Sequence, residues 1–329
     1  MTQAHSLSLS RRSLLALAAG SLFAGTTVAA AQEWAPSKPV RIVVPIVGST
    51  NDVVARLVAP ELQKALGQPV IVENKGGAGG TIGANDVAKS PPDGHTLLVG
   101  FNGPIAINPT LFPKIPYDVH KDLTPITLAV MSPQFLAVNP QVPAKDLKEF
   151  IALAKQRKLS YASVSPGSAS HLTMEMLKSA AGINVTHIPY KGAGPAVVAL
   201  LGGQVDAAYL VPGNILQFVR EGKAKVIATT GEKRFHSMPE VPTMIEQGFP
   251  GFVAVSWIGF LAPGGTPKPI VDRYNKEIVR ILRKPEIAAQ LEKIDFEVVA
   301  GSPEQFAGWI NAEIPRWGQV IKANNIKAE

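Results

Sequence analysis

Short apolar runs that favour β-strands alternate with amphipathic helical stretches along most of the chain after residue 38. Val40–Pro45 predicts a buried strand, and the apolar spacing within Asp52–Leu66 predicts the helix that follows it. The same pattern continues with a strand at Val70–Glu73, a helix at Ile82–Lys89 and a strand at Thr96–Gly100. Because helices between strands serve as crossovers, this alternation predicts an α/β fold in which helices flank parallel sheets.

The alternation restarts in the second half of the chain, which predicts two αβ lobes. Asn108–Pro125 follows the first predicted strands and helices, and its proline and polar content predicts a surface loop. The further predicted strands are Ile126–Val130, Gln134–Val138, Leu159–Ala162, Val185–Ile188, Asp206–Leu210, Lys225–Thr229 and Val253–Leu261; the further predicted helices are Ala144–Gln156, His171–Ala181 and Ala196–Leu201, with three amphipathic helices within Pro267–Asn324.

The predicted lobes are joined where the chain passes twice between them, near 126–138 and near 250–262. We therefore expect residues 32–130 and 251–329 to form a discontinuous first lobe, and residues 131–250 to form the second. A ligand cleft is expected between the two lobes.

The first 31 residues contain no Asp or Glu and predict an export signal. Arg11 and Arg12 precede the apolar run Leu14–Phe23, and Ala29–Ala31 supplies small residues for cleavage. Both Sec export and twin-arginine export fit this segment. A membrane anchor is the weaker alternative, because the apolar stretch is short and rich in Ala, Gly and Thr. We predict a periplasmic protein whose mature chain begins at residue 32.

Charge and residue usage exclude several classes of function. The formal net charge is +7, but the basic residues are interleaved with acidic ones on predicted helices and form no cluster with aromatics, so no nucleic-acid partner is predicted. The chain has no cysteine, which excludes disulfides, thiolate nucleophiles and cysteine-ligated metal sites. The six histidines show no metal-ligand spacing, so neither a metal nor a cofactor is expected.

The glycine-rich segment Gly76–Gly83 follows a strand and precedes a helix, as a dinucleotide-binding loop does. Its spacing fails that test, because Ile82 stands where the third glycine of G-x-G-x-x-G is required. The segment therefore predicts a tight turn with close backbone packing.

Two strand–helix junctions are rich in small residues, several of them hydroxyl-bearing. One is residues 46–51 before the predicted Asp52 helix, and the other is residues 163–170 before the predicted His171 helix. A helix N-terminus presents unpaired N–H groups and the positive end of the helix dipole, which together suit an anion. Neither junction contains Lys or Arg. Ordinary N-capping by Ser, Thr and Asn is the alternative interpretation.

A series of motifs at these junctions and along the rest of the mature chain resembles a known family. The chain is similar to the Bug (TctC-type) extracytoplasmic solute receptors of tripartite tricarboxylate transporters. The residues that carry the resemblance are Pro39–Pro45, Val72–Gly80, Ile82–Ala84, Pro92–Leu98, Ile107–Pro109, Ser170–Leu172, Pro189–Gly192, Leu201–Asp206, Pro239–Thr243 and Leu261–Pro263.

The resemblance implies a type II periplasmic-binding-protein fold, in which two αβ lobes close on a small organic carboxylate. It also implies integral membrane permease subunits as partners, a monomeric receptor and no enzymatic activity. A membrane sensor kinase is the alternative partner, and an exported hydrolase is the alternative activity. The ligand-binding residues that it implies are Val47, Gly48, Ser49, Thr50 and Asp52 in the first loop, Ser163, Gly167, Ser168, Ser170 and His171 in the second, and Asn102, Tyr190 and Leu210 beside them.

The chain departs from the family pattern at three places in this site. The first loop usually reads P-F-A-P-G-G-x-T-D, and here it is one residue shorter and poorer in glycine. In the second loop Ser165 replaces a glycine, and Pro166 after it has no N–H to donate. Many members have an Asp where this chain has Leu210. That loss favours a carboxylate with an apolar body over an amino acid.

Overall fold

The computed structural model describes Met1, residues 33–46 and residues 48–327. The predicted export signal, beyond Met1, and the predicted site residue Val47 lie outside the described residues. None of the helices in the described part is both long and apolar enough to cross a membrane.

The described residues form two mixed sheets surrounded by helices. The strands are β1 Val40–Val44, β2 Val70–Asn74, β3 Thr96–Phe101, β4 Leu123–Pro133, β5 Phe135–Val138, β6 Leu159–Ser163, β7 Val185–Pro189, β8 Ala207–Leu210, β9 Lys225–Thr229, β10 Val255–Pro263 and β11 Glu297–Val298. The helices are α1 Thr50–Leu66, α2 Thr81–Ala88, α3 Asn108–Leu111, α4 Val119–Asp122, α5 Leu147–Gln156, α6 Ala169–Ala181, α7 Ala193–Leu201, α8 Pro212–Arg220, α9 Lys268–Leu282, α10 Pro285–Lys293 and α11 Pro303–Ala323.

Each sheet combines a parallel part with strands that run the other way. The first sheet has the order β11-β4-β10-β3-β1-β2, and the second has the order β7-β6-β8-β5-β9. β1 is parallel to β2 and β3, whereas β10 is antiparallel to β3 and β4. β5 is likewise antiparallel to β8 and β9. The predicted α/β class is therefore confirmed, with antiparallel strands added to the predicted parallel sheets.

The chain passes from the first sheet to the second at Gln134, between β4 and β5, and the return follows β9. Gln134 N–H donates to Thr230 Oγ1 (2.8 Å), and Thr230 N–H donates to the Gln134 carbonyl (2.9 Å). The two passages between the sheets are thus tied to each other by hydrogen bonds. The predicted lobe boundaries at 130/131 and 250/251 stay a prediction.

Two assignments in the sequence analysis are wrong in part. Asn108–Pro125 is not a continuous loop, because it contains α3, α4 and the first residues of β4. Pro212–Arg220 forms a helix that the sequence analysis does not predict. Proline occupies the first or second position of both α3 and α8, where its missing N–H costs no intrahelical hydrogen bond.

The glycine-rich segment forms the predicted tight turn. It makes a short 3₁₀ turn at Ala78–Gly80 before α2. A Cβ on Gly83 would lie 2.7 Å from both the Lys75 carbonyl oxygen and Pro45 Cβ, so only glycine lets these segments approach so closely.

Candidate ligand-binding site

A cavity of about 80 Å³ lies where the N-termini of four helices meet. Residues from the first turns or caps of α1, α6, α7 and α8 line it, together with residues from both sheets. Each helix N-terminus carries unpaired N–H groups and a partial positive charge, so four of them reinforce one another. Among the described residues that line it, there is no Lys, Arg, His, Asp or Glu. The cavity therefore offers an anion hydrogen-bond donors and helix dipoles, without a cationic side chain.

Six of the predicted site residues line this cavity. They come from four separate parts of the chain: the start of α1, the start of α6, the end of β3 and the end of β8. They are Ser49, Thr50, Asn102, Ser168, Ser170 and Leu210.

The α1 side of the cavity presents a buried donor without a partner. Asn51 is 7% exposed, and its Nδ2 makes no hydrogen bond to a described residue. Ser49 Oγ lies 3.3 Å from the Ile46 carbonyl oxygen, to which it donates, and 3.4 Å from Asn51 Oδ1. A buried amide N–H without an acceptor costs about 1–3 kcal/mol, so an acceptor in the cavity would recover that free energy.

The α6 side is preorganised by hydrogen bonds within its own loop. Ser168 Oγ donates to the Ser165 carbonyl (2.7 Å) and lies 2.9 Å from Ser170 Oγ. Ser170 Oγ accepts from Val164 N–H (3.1 Å), and Ser168 Oγ accepts from His171 N–H (3.3 Å). Because these bonds engage both hydroxyls, the free amides of the first turn of α6 are the groups that remain for a ligand.

Asn102 lines the cavity, but protein atoms already satisfy its side chain. Its Nδ2 donates to the Val255 carbonyl (3.0 Å), and its Oδ1 accepts from Trp257 N–H (3.1 Å). Behind it, Glu313 Oε2 accepts from the indole N–H groups of Trp257 (3.1 Å) and Trp317 (2.9 Å). Asn102 thus holds β10 beside β3 and supports the cavity wall.

Two predicted residues of the first loop do not line the cavity. Asp52 forms an ion pair with Arg56 (2.8 Å) and accepts from Asn74 Nδ2 (2.8 Å). The Arg56 hydrogen bond lowers the pKa of the Asp52 carboxyl and outweighs burial, which acts in the opposite direction. These contacts of Asp52 tie the start of α1 to β2. Gly48, the other of the two residues, is exposed.

Three predicted residues of the second loop do not line the cavity. Gly167 N–H donates to His171 Nδ1 (3.2 Å), and the His171 ring stacks on His187 with centroids 4.0 Å apart. Ser163 Oγ hydrogen-bonds His187 Nε2 (2.7 Å). Burial is the main cause that lowers the pKa of His171 to about 3, with His187 and Lys178 acting in the same direction. His171 is therefore neutral near pH 7 and supports the loop that carries Ser168.

Tyr190 lines a second and larger cavity of about 700 Å³, which also has Ile46 and Val164 in its wall. Those two residues line the smaller cavity as well. The two cavities are therefore neighbours.

Sequence reasoning missed several polar residues that line the smaller cavity. Gln134 and Ser256 lie where the chain passes between the sheets, and Asn214 lies in the first turn of the unpredicted α8. Gln134 and Ser256 fall within the two stretches, near 126–138 and 250–262, where the chain is expected to pass between the lobes. That expectation is the sequence signal that points to both residues. Asn51 belongs to the first of the two strand–helix junctions, residues 46–51, but it is not among the predicted site residues.

The comparison with protein families decides what kind of protein carries this site. Residues 54–326 match the family model described as the tripartite tricarboxylate transporter family receptor (TctC). The chain belongs to this family. The predicted family is thereby confirmed, and it is a family of solute-binding receptors.

Three relatives illustrate how far the similarity extends. This TctC-type chain is 37% identical over 308 residues to the protein BugT of Bordetella pertussis, which covers 92% of this chain and 94% of BugT. It is 33% identical to an R. palustris protein solved with adipate, with a TM-score of 0.84 over 89% of this chain and 99% of the other. MatC from Rhodopseudomonas palustris, solved with bound malate, is 37% identical with a TM-score of 0.80 over 87% and 99%. The periplasmic binding protein BugD, 36% identical with a TM-score of 0.82 over 89% of this chain and 100% of the other, confirms the predicted periplasmic-binding-protein fold.

Proposed function

We propose that this chain is a periplasmic receptor that captures a small organic carboxylate between its lobes and delivers it to the membrane permease subunits of a tripartite tricarboxylate transporter. The observation that carries the proposal is the buried Asn51 Nδ2, which has no hydrogen-bond partner among the described residues, in a cavity where four helices begin. A carboxylate oxygen is the acceptor that this donor and the helix dipoles lack.

The site would hold a carboxylate by hydrogen bonds and dipoles alone. The amides of the first turns of α1 and α6 would approach its oxygens from opposite lobes, and Asn51 Nδ2 would donate from the α1 side. Leu210 and Trp257 would face the carbon skeleton. The relatives solved with adipate and with malate support this ligand class, since both molecules are carboxylates.

The receptor role follows from binding between two lobes. A ligand that contacts both lobes stabilises the closed arrangement over the open one, and only differential affinity for the two states can shift that equilibrium. The closed surface is what a permease would recognise. We propose that the receptor acts as a monomer, with lobes at 32–130 plus 251–329 and 131–250, and that residues 1–31 direct its export.

Thermal melting against a panel of acids tests the proposed function. The protein is unfolded and refolded to remove carried-over ligand and then melted with mono-, di- and tricarboxylates, amino acids and sugars. A ligand at about 100 times its dissociation constant adds about 2.7 kcal/mol to the free energy of unfolding, which raises Tm by a few degrees. A response confined to sugars, or no response to any acid, would contradict the proposal.

Asn51→Asp tests the cavity itself. The change is nearly isosteric and places an acid in the first turn of α1, where the helix dipole favours it, so folding is expected to be retained. A carboxylate beside the bound carboxylate is expected to weaken binding at least a hundredfold, about 2.7 kcal/mol. The control is Asn184→Asp, which makes the same charge change at an exposed position outside both cavities. If calorimetry gives equal affinities for both variants, the cavity is not the site.

A further inference from the structure

A third cavity, of about 670 Å³, lies between elements that belong to different sheets. On one side it is lined by α8 and by the loop that follows β9, and on the other by the end of α10 and the residue Asp295. α8 packs in the core of the second sheet, whereas α10 packs in the core of the first. The third cavity therefore changes shape whenever the two sheets move relative to each other.

The third cavity shares a wall with the smaller cavity. Gly213 lines the third cavity, and its neighbour Asn214 lines the smaller one. Across from them, Asp295 lines the third cavity and Phe296 lines the smaller one. A Cβ on Gly213 would clash with the carbonyl oxygen of Ile294, so the two backbones touch at this wall. The contact that closes this side of the smaller cavity thus also covers the Asp295 side chain.

Three features make an acid at position 295 unfavourable for stability. Asp295 is 5% exposed, and its φ of +58° lies in the left-handed region that glycine adopts most easily. It also stands directly after the C-terminus of α10, where the helix dipole repels a carboxylate. Its N–H donates to the Glu292 carbonyl (2.8 Å) and Phe296 N–H donates to the Leu291 carbonyl (3.0 Å), which is the pattern that usually ends a helix at a glycine. An unfavourable residue in such a conformation points to a functional role.

Charged groups from every element that lines the third cavity share it with Asp295. They are Arg220 and Glu221 on α8, His236 in the loop after β9, and Glu292 and Lys293 at the end of α10. Burial is the main cause that raises the pKa of the Asp295 carboxyl, and Glu292 acts in the same direction. Ser237, His236 and Arg220 act in the opposite direction and do not outweigh burial. The closed contact therefore favours the neutral, protonated carboxyl.

We propose that closing of the cleft is coupled to the uptake of a proton by Asp295, so that the protein holds its ligand more tightly as the pH falls. This inference rests on the proposed function, because ligand affinity reports closing only if the ligand binds between the lobes. When α8 and the loop after β9 move away from α10, water reaches the carboxyl and hydrates its charged form; when they return, the charged form loses that hydration. The pKa is thus higher in the closed arrangement than in the open one. Closing is therefore most favourable at low pH and becomes less favourable as the pH rises through the range in which the closed-state carboxyl ionises.

Asp295→Asn tests the proposal, because asparagine has nearly the same shape, tolerates a left-handed backbone and cannot ionise. Calorimetry measures the affinity for malate and for adipate, the acids in two of the solved relatives, from about pH 5 to about pH 8. At about pH 7.5 the variant is expected to bind at least about threefold more tightly than the wild type, and at about pH 5 the two affinities should converge. Titration in two buffers of different ionisation enthalpy counts the protons taken up on binding, and the variant should take up fewer. Ionisation of the acid itself is common to all variants and cancels in the comparison.

Three further variants complete the experiment. Asp146→Asn makes the same charge change at the exposed N-cap of α5, where asparagine caps a helix as well as aspartate does. His236→Gln removes the histidine of the third cavity. Both are expected to keep the wild-type direction of pH dependence. Asp295→Gly removes the carboxyl with the residue that suits the backbone best, so it should fold and lose the pH dependence as Asp295→Asn does.

The outcomes separate this inference from the proposed function. A pH dependence and a proton uptake that both variants of Asp295 reduce, and that Asp146→Asn and His236→Gln retain, support the inference. Binding of malate or adipate with the same pH dependence and proton uptake in the wild type and in Asp295→Asn overturns it and leaves the proposed receptor standing. The same holds if His236→Gln, and not Asp295→Asn, removes the pH dependence. Failure of the wild type to bind any carboxylate overturns both proposals.

Discussion

At the scale of single residues, His171 shows how the fold changes the meaning of a side chain. The sequence places it beside two serines at a helix start, where an imidazolium would suit an anion. The structure buries the ring against His187 and uses Nδ1 as an acceptor for Gly167 N–H, so the neutral form is the one that fits. A protonated Nδ1 would lose this hydrogen bond and carry charge into a desolvated site.

The protonation of His171 predicts acid sensitivity. Its ordinary pKa is about 6.5, and burial lowers it to about 3 in the folded protein. Between these values the unfolded chain binds a proton that the folded chain does not, so the free energy of unfolding falls as the pH falls. His171→Gln keeps an acceptor and cannot titrate. Between about pH 7 and about pH 4, the free energy of unfolding measured in urea is expected to fall by about 3 kcal/mol more in the wild type than in this variant.

The control for this experiment is His120→Gln, at an exposed histidine. This control is expected to lose stability in parallel with the wild type across the same pH range. If His171→Gln also followed the wild type, residue 171 would not be the source of the acid sensitivity.

At the scale of elements, periodicity predicted most strands and helices, and proline explains the main errors. The apolar runs of β1, β3 and α1 are long enough to carry their own signal. Pro109 lies in the stretch predicted to be a loop, and Pro212 begins the helix that is not predicted, yet each stands in the first turn of a helix. Proline is favoured there because its fixed φ is already helical and its missing N–H has no partner to lose.

The last helix, α11, supports the candidate site by a buried carboxylate. Glu313 is 3% exposed, accepts from two indole N–H groups, and pairs with Arg316 through Oε1 (2.7 Å to Nε). Trp257, one of the two donors, is also part of the cavity wall. This carboxylate therefore links α11 to β10 at the floor of the cavity.

Glu313→Ala is expected to lower the free energy of unfolding by about 3–5 kcal/mol, because it leaves two buried indole donors without an acceptor and removes the carboxylate that pairs with Arg316. Urea unfolding followed by tryptophan fluorescence measures the change. Glu304→Ala, on the exposed first turn of the same helix, is the control and is expected to cost no more than about 1 kcal/mol. Equal losses in the two variants would show that the buried network adds nothing beyond the helix itself.

At the scale of the whole molecule, the two junction loops identified in the sequence line the same cavity. The other lining residues are brought there by the order of the strands and by the passages between the sheets. Both junctions were visible because hydroxyl residues stood just before amphipathic runs. Gln134, Ser256 and Asn214 come from separate elements with no common motif, and they become neighbours only once both sheets and both passages between them are in place. A local pattern cannot encode that proximity.

Contact between the lobes around the site depends on a glycine. Gly167, in the second-lobe loop, has φ +69°, and a Cβ there would lie 2.8 Å from both Asn108 Oδ1 and Leu111 Cδ2 of the first lobe. Gly182, at the other end of α6, has a similar φ of +60° and nothing within 4 Å of such a Cβ. Both glycines have a positive φ, which glycine adopts most easily. Of the two, only Gly167 also lies where an added Cβ would clash with residues across the cleft.

Gly167→Ala is therefore expected to oppose closure, and Gly182→Ala is its matched control. In both variants an alanine must adopt a left-handed conformation, which costs about 1–2 kcal/mol. Urea unfolding should therefore give similar stabilities, except for the clash that only Gly167→Ala adds. Only Gly167→Ala should destabilise the closed state, and since the ligand binds that state, its affinity should fall at least tenfold. Calorimetry measures the affinity, and small-angle scattering should show less contraction on ligand addition for Gly167→Ala. Equal affinities and equal contraction in both variants would mean that this interlobe contact does not limit closure.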